Sequence, residues 1–218
     1  MITPIRVLSY FHAGILFEIA KRAARISVKD PDCSIISIMF SVSALEAFIN
    51  ESVELARLVP TSDRQKVVDG YSAVMSELEE RKEALLIKFH MGLLVFSGST
   101  WDEGTQPFQD FKLLVTTRNN IVHMKADRWE TRLTPRGPEP RCLDQYPKFI
   151  GALQQRKLVK LGDTPESESW LVLIRNKRVA SWACETAAKI TEKFVETVPD
   201  GYYKQSLKQH VFHGKRRR

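Results

Sequence analysis

The residue types best suited to chemistry in this chain gather in one short run, Arg118-Asn119-Asn120-Ile121-Val122-His123. An imidazole exchanges protons near neutral pH. A guanidinium holds oxyanions through paired N–H donors. Asn119 and His123 stand four residues apart, so on a helix they share a face, and the amide can hydrogen-bond the imidazole and fix its tautomer. The bare Arg-x-x-x-x-His spacing carries little, because 17 arginines and five histidines make a chance match easy. Arg6 and His12 nearly repeat it. Context separates the two pairs: an apolar run follows Arg6, whereas a polar supporter, Asn119, follows Arg118.

The element that must position these residues is a helix over about 107–125. Phe108, Phe111, Val115, Arg118 and Val122 recur at steps of three and four, which draws one stripe along it. The stripe is apolar except at Arg118. A guanidinium on a core-facing stripe needs a partner, since an unpaired buried charge costs several kcal/mol or more. Arg118 and His123 are five apart, about 140° around an ideal helix. They flank a face and do not stack, so one copy carries an open half-site. Two such helices facing across a two-fold axis would set two arginines and two histidines around one cleft.

The rest of the chain supplies other helices. The expected order is a helix over 5–29 ended by Asp30-Pro31-Asp32, then one over 33–58 that is apolar nearly all round at its start. A third is expected over 64–90 with a charged middle, then a loop from Ser97 to Gly104. Residues 126–145, with Pro135, Gly137, Pro138 and Pro140, read as a long irregular loop. A short helix is expected at 147–157, a short strand at 158–161, and a helical region at 168–198 kinked near Asn176. Pro199-Asp200-Gly201 should stop it. The class is all-α: a bundle of four or five main helices with a C-terminal helix, one domain over 1–201 and a mobile basic tail over 202–218.

The totals narrow the function. The net charge is +7, but the last four residues, Lys215-Arg216-Arg217-Arg218, supply four of it, which leaves +3 on the remainder. The high pI therefore does not by itself mark a nucleic-acid surface. Cys33, Cys142 and Cys184 lie far apart in no metal-like spacing, as expected of reduced thiols in a cytoplasmic protein. The N-terminus does not read as a signal peptide, and the apolar window Cys33–Ile49 is interrupted by serines and Glu46, so a buried helix is expected there and no membrane span. No P-loop, dinucleotide turn, HExxH or Cys-x-x-Cys pattern occurs, and neither a metal nor a cofactor is expected. Ser97-Gly98-Ser99-Thr100 is a plain loop. A structural reading of Arg118 stays open beside the functional one: it can pair with Glu46 on the apolar second helix, where Asn50 lies one turn on along the same face, or with a carbonyl inside the bundle.

Three ordered segments carry a family resemblance. Arg118-Asn119-x-x-x-His123, with Phe108, Phe111 and Leu114 at regular spacing upstream, resembles the signature of the HEPN superfamily. Ser41 to Glu51 (SVSALEAFINE) resembles an earlier helix of those proteins, and Arg178 to Ala187 (RVASWACETA) resembles the closing helix of bacterial HEPN-like proteins. The resemblance covers most of residues 33–198. It implies an all-α bundle that homodimerises through the motif helix. It also implies a metal-independent endoribonuclease of a toxin–antitoxin or phage-defence system, with RNA as substrate and an antitoxin protein as a further partner. On that reading Arg118 and His123 are catalytic: Arg118 stabilises charge on the phosphorane, and His123 moves the proton as the RNA 2′-OH attacks its own phosphodiester. The products would be a 2′,3′-cyclic phosphate and a 5′-OH. Asn119 would orient the histidine, with Glu46 and Asn50 behind, and Asn120 and Lys125 would contact RNA. In some HEPN toxins a tyrosine two residues after the histidine is modified by a nucleotidyltransferase antitoxin; here Lys125 stands there, so that control is not expected. HEPN-like proteins without nuclease activity exist, and the alternative is a non-catalytic dimerisation or partner-binding module.

Overall fold

The computed structural model describes residues 11–60, 62, 65–126, 128–134, 137–142, 146–161, 169–210 and 212. Among these, nine helices and one two-stranded hairpin make an all-α bundle around a single apolar core. The central element is α2 (Cys33–Leu58), which runs over the span its apolar pattern predicts. By length and composition it is apolar enough to cross a membrane, and just over half of its most apolar window is buried inside the bundle. Its buried serines find partners there. Ser34 donates to the Ile174 carbonyl at 2.9 Å, Ser37 to the Ala180 carbonyl at 3.1 Å, and Ser41 to the Cys184 sulfur at 3.7 Å. These hydroxyls fix α2 against the segment that begins α8 (Lys177–Thr197), so polar residues inside an apolar helix are satisfied by their neighbours.

Before α2 comes α1 (Ala13–Ile26), shorter than the helix expected over 5–29, whose first residues lie outside the described ones. Its first N–H groups are taken by the Glu51 carboxylate of α2, with Ala13 donating at 3.1 Å and His12 donating beside it. A carboxylate at a helix N-terminus satisfies groups that have no intrahelical partner.

The single helix expected over 64–90 is two: α3 (Lys66–Glu80) and α4 (Leu85–Ser97). The reason is in the stripe. Tyr71 and Met75 are buried and Leu78 packs on the core. The next stripe position is Lys82, and a continuing helix would drive an ammonium into the core. Instead Lys82 takes a left-handed φ of 55°, and Glu83 N–H reaches back to the Leu78 carbonyl at 2.9 Å in a Schellman turn. From there α4 packs closely on α8. A Cβ built on Gly92 would sit 2.7 Å from the Phe194 ring, so only glycine permits this approach.

Then comes α5 (Phe108–Val122), packed on α2 and α8. Phe111 lies against Phe89 of α4, with ring centroids 4.8 Å apart. The segment 126–145, expected as a loop, holds an antiparallel hairpin of β1 (Trp129–Thr134) and β2 (Gly137–Cys142), with Leu133 opposite Pro138. Gly137, Pro138 and Pro140, read as loop signals, instead lie in β2, which Gly137 opens at φ 119°; Pro135 lies outside the described residues. Next are α6 (Lys148–Gln155) and α7 (Trp170–Ile174). The strand expected at 158–161 does not form; Leu158 closes a second Schellman turn on the Leu153 carbonyl at 3.0 Å, after Lys157 at φ 59°. The kink near Asn176 is a true break: the Asn176 side chain caps α8 by accepting from Val179 N–H at 3.1 Å.

The largest correction concerns the end of the chain. Residues expected to form a mobile tail fold back as α9 (Tyr202–His210). Tyr203 and Leu207, one turn apart, are buried, and the Tyr203 hydroxyl donates to the Ser52 carbonyl at 2.9 Å. Phe212 is buried as well, stacked on Phe17 at 4.5 Å and against Phe48 at 5.7 Å. The described residues beyond 201 therefore belong to the core-bearing domain; the four basic residues at the end lie outside those described.

Candidate active site at the end of α5

The stripe on α5 is buried at its start and leaves the core at its end. Phe108, Phe111 and Val115 are buried, Arg118 is at the boundary, and Val122 is half exposed. The helix stops at Val122, earlier than the expected 125, with His123 as its C-cap. His123 still donates its backbone N–H to the Asn119 carbonyl at 3.0 Å, so the last turn is closed. Its imidazole is exposed, and no hydrogen bond to it forms among the described residues. The sequence places arginine and histidine where the helix emerges from the bundle, which gives one side chain a fixed base and the other free access to solvent.

Arg118 has the partner its position demands. Its guanidinium forms an ion pair and hydrogen bond with Glu46 of α2 through Nη2, and Nη1 donates to the Asn119 side-chain oxygen at 3.1 Å. The two charges are unequally placed: the Arg118 side chain is 20% exposed and that of Glu46 43%. The cation is thus held from behind by a carboxylate that still reaches water. Pairing within hydrogen-bond reach and access to water together remove most of the penalty of placing a guanidinium on this stripe.

The other expected residues divide. Glu46 does meet Arg118. Asn119 is engaged by Arg118, and its amide makes no hydrogen bond to the His123 ring, so the expected orienting contact is replaced by one to the arginine. Asn50 does not join them: its side-chain oxygen accepts from Lys88 Nζ of α4 at 3.3 Å. Asn120 turns back on its own helix, donating to the Thr116 carbonyl at 2.9 Å. Lys125 is exposed just past the helix end.

Lys88 is the residue that sequence reasoning missed. It is buried, in the middle of the apolar run Leu85–Phe89, and forms an ion pair with Glu79 in addition to its bond to Asn50. The signal was present: a lysine inside an apolar helix raises the same question as an arginine on an apolar stripe. The charged run just upstream absorbed it.

The opposite end of α5 carries separate features. There the His90 ring packs on Phe108 at 4.4 Å, and its Nε2 stands 3.6 Å from Glu103. Lys112 hydrogen-bonds Glu103 at 2.8 Å and holds its carboxyl below the usual carboxylate range. A cavity of about 290 Å³ opens at that same end, lined by Trp101, Asp102, Pro107, Phe108 and Lys193 among others. None of the candidate residues lines it, so this cavity and the candidate chemistry stand at different ends of one helix. An exposed half-site needs no cavity of its own if a second surface completes it. Among the described residues, no three His, Cys, Asp or Glu side chains gather as metal ligands would.

The chain matches no protein-family model, no curated protein and no solved structure.

Proposed function

We propose that this chain is a metal-independent endoribonuclease of the HEPN type, acting as a homodimer in a toxin–antitoxin or phage-defence system. The observation that carries the reading is the pairing at the end of α5. Arg118 is braced by Glu46 and Asn119, and five residues on an accessible imidazole stands free at the helix terminus. Val122 and Met124, both about half exposed, flank His123 with apolar surface that a second copy can cover. Two copies meeting there bring two arginines and two histidines to one cleft.

The chemistry follows from the groups. One His123 takes the proton of a ribose 2′-OH as that oxygen forms its bond to phosphorus. The bond from phosphorus to the 5′-oxygen breaks, and the other His123 returns a proton to the leaving oxygen. The guanidinium of Arg118 turns its N–H donors to the non-bridging oxygens, where charge develops. A 2′,3′-cyclic phosphate and a 5′-OH remain.

The test is cleavage of RNA in excess EDTA by the wild-type chain and by His123→Ala. The expected result is cutting in EDTA with cyclic-phosphate ends, reduced at least a hundredfold by the substitution, within the ~10²–10⁴ range of a lost acid–base group. Activity that vanishes in EDTA, or that survives the substitution, overturns the assignment.

A second reading is favoured by one specific observation, the Glu46–Arg118 ion pair itself. A bundle can use that pair only to join α5 to α2. The chain would then be a non-catalytic HEPN-like module that dimerises or binds a partner. It predicts no cleavage at any divalent-ion concentration and an intact dimer, which sedimentation measures.

A further inference from the structure

We propose that Lys88 is a second phosphate-binding cation of the same site, set one turn of α2 away from Arg118, so that the site grips two neighbouring phosphates of an RNA strand. This rests on the endoribonuclease reading of Arg118 and His123.

The geometry converges from two helices. Glu46 and Asn50 stand four apart on α2, and side chains at that spacing have Cβ atoms about 5–6 Å apart. Arg118 from α5 binds the first, and Lys88 from α4 binds the second. His90 packs on Phe108 and Phe89 on Phe111, so α4 meets α5, and both helices contact α2. Their two cationic heads therefore come to one stretch of one helix.

Burial separates this lysine from ordinary surface charge. Its side chain is only 10% exposed, while that of its counter-ion Glu79 is 58% exposed. The same asymmetry marks Arg118 and Glu46. In both pairs the cation is held by the fold and the carboxylate lies at the water boundary. A phosphate approaching from solvent can replace such a carboxylate as the partner, because the displaced group regains hydration where it stands. Lys88 has three N–H donors. Asn50 holds one and keeps the ammonium oriented during the exchange.

The experiment measures binding of a short 2′-O-methylated oligoribonucleotide, which lacks the attacking hydroxyl, by the full chain across a salt series. Each phosphate contact in a single strand contributes about 0.7 to the slope of log affinity against log salt. Lys88→Gln is expected to lower the slope by about 0.7, as Arg118→Ala does. Glu79→Gln, on the surface, is expected to tighten binding about threefold or more at low salt, and it keeps the test intact should Lys88→Gln fail to fold. If Arg118→Ala lowers the slope while Glu79→Gln leaves affinity unchanged, this inference falls and the endoribonuclease reading stands. If the wild-type chain does not bind the oligonucleotide, both fall together.

Discussion

Arg118→Ala separates a catalytic arginine from a structural one, and the fold fixes the size of both effects. The stability cost comes from the ion pair with Glu46 and from the arginine stem. Two unit charges 4 Å apart attract by about 4 kcal/mol at an effective dielectric of 20. Glu46 is close to half exposed, so screening and its own hydration reduce the net value to about 1 kcal/mol. Truncation does not strand the carboxylate, because it already reaches water. Lost contacts of the arginine methylenes add roughly another 1 kcal/mol. A total of about 1–2 kcal/mol should lower Tm by roughly 3–6 °C in a domain of this size. On the endoribonuclease reading, the rate cost is that of removing a preorganised donor from the developing phosphorane, about 10²–10³ in kcat. The assay pairs thermal melting with initial rates of RNA cleavage in EDTA. A rate within threefold of wild type would refute the phosphate role. A Tm drop well beyond about 10 °C would show that the arginine holds the bundle together, and would favour the non-catalytic module.

Other consequences are independent of the site. Gly92→Ala would force a methyl to 2.7 Å from the Phe194 ring and 3.3 Å from that of Tyr71, so it should cost about 1–3 kcal/mol, read from the urea midpoint. Phe212→Ala should cost about 3–5 kcal/mol by emptying the space between Phe17 and Phe48, whereas a chain with a mobile tail would lose nothing measurable. Burial pushes the phenols of Tyr71 and Tyr203 well above their ordinary value near 10. The folded state therefore keeps protons that the unfolded chain releases above that pH. Stability from these groups is fully present below pH 10 and falls as pH rises beyond it, by up to about 1.4 kcal/mol per pH unit per tyrosine. Comparing urea midpoints at pH 9 and 11 in the wild type and Tyr71→Phe should show a shallower loss in the variant; equal losses would refute the assignment to this phenol.

Where periodicity was uninterrupted, the fold could be read from the chain. Helix α2 runs from Cys33 to Leu58 as expected, and the all-α class and the stop at Pro199 follow from the same patterns. The errors have particular causes. Residues 64–90 look like one helix because a charged run resembles a solvated face; that Lys82 falls on the buried stripe is visible only once the stripe is tracked through it. The end of the chain looks like a tail because its lysines, arginines and histidines together outnumber its apolar residues. Tyr203, Leu207 and Phe212 are few, but each fills a space made by other helices, which local composition does not record. At the site, Glu46 could be named as a candidate partner of Arg118 because it is the charge in the apolar window Cys33–Ile49 of α2, although a backbone carbonyl stayed open beside it. The contacts of Asn119 and Asn50 were not legible, because each amide has several donors in reach: Asn119 is taken by Arg118 of its own helix, and Asn50 by Lys88, which the packing of α4 brings to it.

The position of Glu46 bears on whether one copy of this chain can act alone. In the isolated chain, the anion nearest Arg118 is a carboxylate of the protein itself. A phosphate must compete with it, and a carboxylate that keeps access to water gives way at modest cost. A bare imidazole on an exposed helix end has no such restraint: with no hydrogen bond among the described residues, nothing there fixes its tautomer or its direction. The arginine is therefore preorganised within one copy and the histidine is not. If catalysis occurs, the missing orientation has to come from a surface facing His123. The half-exposed Val122 and Met124 beside it make a second copy of α5 the simplest surface to supply it. The dependence of rate on protein concentration should then be steeper than first order below the dimer dissociation constant. Cleavage that stays strictly proportional to concentration, in a chain that sediments as a monomer, would mean that one copy holds the whole site.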